Sequence, residues 1–329
     1  MQPSVARNND AGPAPLDSLA GDVQYYLTLT PRQLPSRYLY DALGSALFEA
    51  ICELPWYRIT KAERGLLARH GREIVAHVDP LSTLVELGPG SGDKLATLVS
   101  AAGARVHRLT VHLVDVSAAA LDLATRTLAA LDAGDLVVVP HEATYEAGHV
   151  EAMAARGPAG HTLTLFLGSN IGNFDPPGAD AFLRHVRASL EAGDTLLVGA
   201  DLVKPEHDLL LAYDDPLGVT AAFNRNLLVR INRELGADFD VSGFRHRAVW
   251  NAAESRVEMH LVSTRRQGVR IPGASLEITL DEGETIWTES SYKYQPDGLV
   301  ASLERTGFHR VNQWIDAVDG FALTLVRAV

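Results

Sequence analysis

Val85-Glu86-Leu87-Gly88-Pro89-Gly90-Ser91-Gly92-Asp93-Lys94 is the stretch that decides the fold. An apolar run, Thr83 to Leu87, reads as a strand that empties into three alternating glycines. Glycine permits positive φ and lets backbone approach a ligand with no Cβ in the way. A strand ending in such a loop belongs to the first β-α unit of a doubly wound sheet, where ligands sit outside the carboxyl ends of the strands. Dinucleotide enzymes use a similar loop, so the spacing has to discriminate. Gly88, Gly90 and Gly92 bring the third glycine too early for G-x-G-x-x-G, and acidic Glu86 precedes the first. That form suits S-adenosylmethionine, whose sulfonium, amine and ribose want carboxylates and close backbone and which has no pyrophosphate to cradle.

Outward from the loop, strand and helix alternate to about Leu202. Arg108–Val116 reads as a second strand, Leu136–Pro140 as a third, Thr162–Leu167 as a fourth and Asp194–Leu202 as a fifth. Helical patterns fall at Asp93–Ala101, Ala118–Leu131 and Ala179–Glu191. Repeated β-α order with continuous apolar strands implies a parallel sheet covered on both faces. The flanks differ. Tyr40 to Leu54 places Leu43, Leu47, Phe48 and Ile51 on one helical face, and Pro55 stops it. Thr60 and Glu63 have the spacing of a capping box for a helix over Lys61–His77. Ala212–Leu235 reads as one helix, Arg245–Ser263 and Ser275–Glu282 as antiparallel strands, and Leu299–Val329 as a helix and two strands. The expected organisation is a polar, disordered tail over 1–17, an accessory domain from 18–65 and 204–293, and a sheet domain from 66–203 and 294–329.

Composition narrows the function. The 329 residues carry a net charge of −12, with the 29 basic residues scattered rather than massed. Nucleic-acid binding wants a basic stripe, so a DNA or RNA partner is disfavoured and a small substrate is expected. No apolar run reaches the roughly 18 residues of a membrane span, and the start lacks the basic-then-apolar order of a secretory signal. A lone cysteine, Cys52, excludes an internal disulfide and reads as a core thiol. The expectation is a cytoplasmic monomer. The 12 histidines show no close ligand spacing, so no metal is expected.

Several constellations carry chemistry. Asp115 ends the second strand, where a carboxylate can accept both ribose hydroxyls of an adenosine, although a solvated strand-end aspartate would look the same. Glu86 can pair with the cofactor amine, or serve as a salt-bridge partner. Lys94 closes the glycine loop. Thr144 and Tyr145 follow the third strand, where the adenine would lie, with Tyr145 able to pack on it. Gly168-Ser169-Asn170-Ile171-Gly172-Asn173 follows the fourth strand, and Asn173 offers both a donor and an acceptor to a zwitterionic amino acid, or to its own turn. Tyr40, Tyr57 and Tyr213 are candidates for the wall of a pocket. In Thr288-Glu289-Ser290-Ser291-Tyr292-Lys293-Tyr294 a strand alternation puts Glu289 and Ser291 on one face, a pair able to grip a nitrogen heterocycle; alone it reads equally as a solvated face.

Taken in order, these runs resemble the histidine-specific, S-adenosylmethionine-dependent methyltransferases of the ergothioneine pathway. The likeness covers nearly the whole chain after about Leu34. It is carried by Tyr38–Phe48, Val85–Lys94, Phe166–Phe174, Ala212–Asn224, Asn232–Asp240 and Thr288–Tyr294. It implies an α/β fold, a class I methyltransferase Rossmann-like sheet with a discontinuous accessory α+β domain. It implies S-adenosylmethionine as cofactor and conversion of L-histidine to hercynine by repeated Nα-methylation. By the resemblance Tyr57, Asn173 and Tyr213 match positions that hold the substrate carboxylate. Glu289 and Ser291 match those that bind the imidazole, with Met259 lining the same pocket, and Tyr40 and Gly168 match positions near the reacting amine, Tyr40 as the catalytic candidate. Trp56-Tyr57-Arg58-Ile59 departs from the usual rim, and Thr144 stands where the family places an aspartate against the adenine amine. Alternatives are Nα-methylation of another aromatic amino acid such as tryptophan, which Glu289 argues against, and a non-catalytic cofactor-binding regulator.

Overall fold

The structure, a computed structural model, describes residues 18–103, 108–131, 135–157 and 160–329. The tail expected over 1–17 lies outside the described residues. The chain divides into two compact units. One comprises the residues up to Tyr57, Gly172–Gly178 and Lys204–Lys293; the other comprises Arg58–Ile171, Ala179–Val203 and Tyr294–Val329.

The second unit is built on a seven-stranded sheet. Its strands, in chain order, are Leu81–Leu87, Arg108–Asp115, Asp135–Glu142, His161–Phe166, Thr195–Asp201, Phe308–Asp316 and Phe321–Ala328. Numbered that way they lie 3-2-1-4-5-7-6 across the sheet. The first five pair in parallel. The last two form an antiparallel hairpin, and Phe321–Ala328 pairs antiparallel with Thr195–Asp201. This is the class I methyltransferase sheet. Strand Leu81–Leu87 is buried at nearly every position, as parallel strands covered on both faces require. It borders both Arg108–Asp115 and His161–Phe166, so the order reverses there, and in such sheets the ligand crevice lies outside the carboxyl ends of those strands.

In the first unit a four-stranded sheet holds Arg32–Gln33, Thr285–Tyr292, Arg256–Ser263 and Phe244–Asn251, and a separate hairpin pairs Gln267–Ile271 with Leu276–Leu280. Helices Ala42–Cys52 and Val219–Leu235 pack on each other. Asp41 caps the first of these, accepting from Gly44 N at 2.8 Å, and also accepts from Asn226 Nδ2 of the second at 2.7 Å. Gly44 has to be glycine, because a Cβ there would run into the Leu39 carbonyl oxygen.

The structure corrects several expectations. The helix expected from Lys61 starts at Arg58 and runs unbroken to Ala76. Thr60 therefore lies inside it, and Glu63, fully buried, is no capping-box partner. The helix also crosses the 65/66 boundary expected from sequence, and residues 172–178 group with the first unit. Ala212–Leu235 is two helices, Glu206–Tyr213 and Val219–Leu235. Between them Asp215 accepts from Val219 N at 3.1 Å and Thr220 N at 2.7 Å, capping the second, while Gly218 takes φ 74°. A helix over Tyr145–Ala155 fills the third crossover. Cys52, read as a core thiol, is only half-buried.

Candidate functional site

In the sheet unit the glycine loop takes the backbone its composition calls for. Gly88, Gly90 and Gly92 have φ of 78°, 54° and 80°, the left-handed region that side chains disfavour. A Cβ on Gly88 would stand 3.0 Å from both Asn170 Nδ2 and Tyr145 Oη, and one on Gly92 would stand 2.9 Å from Ala124 Cα. Both positions therefore need glycine twice over, for the positive φ and because neighbouring residues already occupy the space a Cβ would take.

Glu86 is fully buried, one residue before the strand ends. Among the described residues neither carboxylate oxygen has a hydrogen-bond partner. Burial pushes its pKa up to about 8; Lys94 opposes the rise, and Glu63 and Asp115 add to it. A buried carboxylate without a donor is costly, and a cationic group in the crevice would offset that cost. Asp115, half-buried at the end of the next strand, accepts from Ser117 N at 2.9 Å. Its pKa is raised by burial against the backbone N–H groups of Ser117 and Val116. These residues fit S-adenosylmethionine: carboxylates for an amine and a ribose, and glycine backbone for a close approach.

Glu63 was missed in the sequence because its spacing from Thr60 had a simpler explanation. It accepts from Lys94 Nζ at 2.9 Å and, through both oxygens, from Gly168 N at 2.9 Å each. Gly168 takes φ 74° and Ser169 φ 59°, and Ser169 Oγ accepts from Asp201 N at 2.9 Å. Lys94 is therefore held by an ion pair with Glu63. Tyr145 packs edge-on against Phe166 and Phe182, at 5.4 and 6.3 Å between centroids, with its hydroxyl beside Gly88. Thr144 is exposed and caps the helix Tyr145–Ala155, accepting from Ala147 N at 3.4 Å.

The other unit gathers its own cluster. Strand Thr285–Tyr292 carries a register shift between Trp287 and Glu289. The extra residue, Thr288, donates to Asn224 Oδ1 at 2.7 Å and to the Met259 carbonyl at 3.0 Å. Beyond the bulge Glu289 lies opposite Met259 and Ser291 opposite Val257. Glu289 is buried, which pushes its pKa up to about 7 against the opposing charge of Lys293. Tyr213 Oη donates to Ser291 Oγ at 2.8 Å, and the Tyr213 carbonyl is 2.7 Å from His246 Nε2. Tyr57 and Tyr213 meet edge to face at 6.2 Å. Burial holds the Tyr57 phenol well above its ordinary pKa, with Tyr213, Cys52, Tyr40 and Glu289 as its electrostatic neighbours. Tyr40 packs edge-on against Phe48 and Phe223, each at 5.5 Å.

Tyr40, Tyr57, Tyr213, Met259, Glu289 and Ser291 thus fall in one unit, and Glu86, Gly88, Gly90, Lys94, Asp115, Tyr145 and Gly168 in the other. Asn173 closes the short 3-10 turn Asn170–Asn173, half-buried. Among the described residues no group of histidine, cysteine and carboxylate side chains is arranged to hold a metal.

A family model described as histidine-specific methyltransferase, SAM-dependent, matches residues 19–328. The chain is 41% identical to a histidine N-alpha-methyltransferase of Mycobacterium tuberculosis (strain CDC 1551 / Oshkosh), over 99% of each chain. It is 40% identical to a histidine N-alpha-methyltransferase of Mycolicibacterium smegmatis, over 94% of each. Ergothioneine biosynthesis protein 1 of Neurospora crassa is 28% identical across 78% of this chain and 31% of its own length.

Proposed function

The chain belongs to the histidine-specific, S-adenosylmethionine-dependent methyltransferase family, and from that premise we propose that it methylates the α-amine of L-histidine to the trimethylated betaine hercynine, in ergothioneine biosynthesis. The observation that carries this reading is that Glu289, opposite Met259, and Ser291, opposite Val257, share one strand face in a buried setting. A carboxylate acceptor beside a hydroxyl matches the two nitrogens of an imidazole better than it matches an indole.

S-adenosylmethionine supplies an electrophilic methyl group on a sulfonium. The protein's part is to orient a deprotonated amine and to keep it free to rotate between transfers. Glu86 would hold the cofactor amine and Asp115 its ribose, with Gly88 and Gly90 giving backbone access, Lys94 fixing the loop through Glu63, and Thr144 and Tyr145 beside the adenine. Tyr57, Asn173 and Tyr213 would anchor the substrate carboxylate and Glu289 and Ser291 its imidazole. Tyr40 and Gly168 would stand near the amine, with Tyr40 as the group that helps remove its proton.

The negative net charge supports a small-molecule substrate over nucleic acid. No described helix is long and apolar enough to cross a membrane. We read the protein as a cytoplasmic enzyme acting as a monomer. The test is purified protein with S-adenosylmethionine and the twenty amino acids, read by mass spectrometry. Trimethylated histidine is the expected product. Methylated tryptophan alone would move the assignment to another aromatic amino acid, and cofactor binding without turnover would make the protein a regulator.

A further inference from the structure

Lys293 follows the strand Thr285–Tyr292 and is only 4% exposed. Burying an ammonium is costly unless it is paired and hydrogen-bonded. Its backbone N–H donates to the Ser255 carbonyl at 2.7 Å, which fixes the residue past the strand end. Its Nζ donates to Tyr213 Oη and to Ser291 Oγ, each at 2.8 Å, and stands 4.6 Å from the centre of the Tyr213 ring. The two hydroxyl oxygens are themselves 2.8 Å apart. Ammonium, phenol and serine therefore close a triangle, on the side of the strand that also carries Glu289.

We propose that Lys293 is a positioning residue for the substrate: its ammonium joins Tyr213, at the carboxylate end of the amino acid, to Ser291, at the imidazole end, and supplies the positive charge that lets Glu289 and a bound carboxylate share a buried site. The proposal rests on the substrate reading above. Lys293 fills one lone pair on each hydroxyl oxygen, and the Tyr213–Ser291 contact uses one of the two hydroxyl protons. One hydroxyl proton then serves every other acceptor at the pair, so what one end offers a ligand depends on what the other end binds. Glu289 feels the same ammonium, which counters its burial. Among the described residues the Tyr57 phenol is a further electrostatic neighbour of Glu289, and the cross-strand neighbour Met259 is apolar.

The test compares K293M, K293R and wild type by steady-state kinetics with histidine and with histamine, which lacks the carboxylate, across a pH series. Histidine binding to the complex with S-adenosylhomocysteine is read by calorimetry. K293M should raise the KM for histidine about 30-fold or more, as loss of a buried charge partner does, while kcat falls less and cofactor affinity holds. The acidic limb of kcat/KM should move to higher pH, because Glu289 loses its counter-charge. Histamine should suffer less, and K293R should recover part of the loss. A K293M protein that binds cofactor normally and keeps both the KM and the acidic limb overturns the proposal. Should K293M fail to fold, the cycle of Tyr213→Phe, Ser291→Ala and the double variant decides with Lys293 intact. Coupled ends give effects on histidine affinity that depart from additivity by about threefold or more, and additive effects overturn the proposal. A wild type that neither binds nor methylates histidine removes the substrate reading and this one with it, whereas histidine binding indifferent to Lys293 removes this one alone.

Discussion

Gly168 donates its backbone N–H to both carboxylate oxygens of Glu63, at 2.9 Å each. That contact ties the helix Arg58–Ala76 to the loop after strand His161–Phe166, and Lys94 joins it from the far side of the glycine loop. Gly199, in the neighbouring strand, leaves the room: a Cβ there would collide with Glu63 Oε1. The carboxylate cannot swing away without giving up Gly168 and Lys94. Glu63→Ala should therefore destabilise the protein by about 3–5 kcal/mol, the usual result of removing one member of a buried ion pair, and weaken cofactor binding. Gly199→Ala should reproduce both effects in milder form. Thermal melts and calorimetry with S-adenosylhomocysteine check this; wild-type behaviour in Glu63→Ala would mean that the network is not structural.

The same residue shows where the sequence stopped being legible. The parallel sheet was readable because buried strands leave continuous apolar runs and the Gly88–Gly92 loop has a pattern of its own. Glu63 was not, because Thr60 and Glu63 fit a capping box and nothing local says that the helix begins three residues earlier. Lys293 was passed over because an isolated lysine in a polar run ordinarily faces water, and its burial depends on partners 80 residues away in sequence at Tyr213. The bulge between Trp287 and Glu289 is set by Asn224 and the facing strand, which strand alternation alone does not reveal. Alternation beyond the bulge was readable, and Glu289 and Ser291 do share a face. The break at Asp214–Gly218 did leave a signal, Asp215-Pro216-Leu217-Gly218, which the strong helical spacing on either side outweighed.

Glu86 makes stability and cofactor binding depend on pH in a definite direction. Its pKa rises from 4.5 in the unfolded chain to about 8 in the fold. The protonated form is the one burial favours, so this contribution is fully present below about pH 4.5 and is lost as pH rises through about 8. Without cofactor, the melting temperature of Glu86→Gln should therefore fall less than that of wild type between pH 5 and 8. On the proposal that the cofactor amine pairs with the ionised form, wild type should release protons on binding near pH 7, and Glu86→Gln should not. Calorimetry in two buffers of different ionisation enthalpy reads the proton count, and equal counts for the two proteins would place the amine elsewhere.

Asp115 tests the ribose assignment. Removing a charged partner from hydrogen bonds costs about 1.5–3 kcal/mol, so Asp115→Ala should weaken S-adenosylmethionine by that amount. Nicotinamide dinucleotides should not compete with the cofactor in wild type. Unchanged affinity in the variant would move the ribose away from the end of strand Arg108–Asp115.

Glu289 should decide substrate identity. Glu289→Ala is expected to raise the histidine KM by about 30-fold or more with cofactor affinity intact, and to cost an apolar aromatic amino acid less. Its pKa lies near 7 in the fold against 4.5 unfolded. Stability from its burial is thus complete below about pH 4.5 and lost as pH rises through about 7, while its capacity to accept from an imidazole N–H grows over the same window. The wild-type kcat/KM should accordingly rise toward neutral pH, and this limb should be missing in Glu289→Ala. Histidine turnover indifferent to the change would sink the imidazole assignment.

Tyr40 separates binding from chemistry at the amine. Its ring is held edge-on by Phe48 and Phe223, so Tyr40→Phe preserves the packing and deletes only the hydroxyl. If that hydroxyl, or a water on it, helps remove the amine proton, kcat should fall by about 10²-fold or more while KM changes little, because the anchors at both ends of the substrate remain. Each further transfer needs the amine deprotonated and presented again, so mono- and dimethylated histidine should accumulate in the variant. The rate of wild type should rise with pH as the bound amine loses its proton, and the variant should recover part of its deficit at high pH, where less help is needed. A time course of the three methylated products across a pH series reads all of these at once. An unchanged kcat with an unchanged product distribution would take Tyr40 out of the chemistry and leave orientation of the amine as the whole source of the rate.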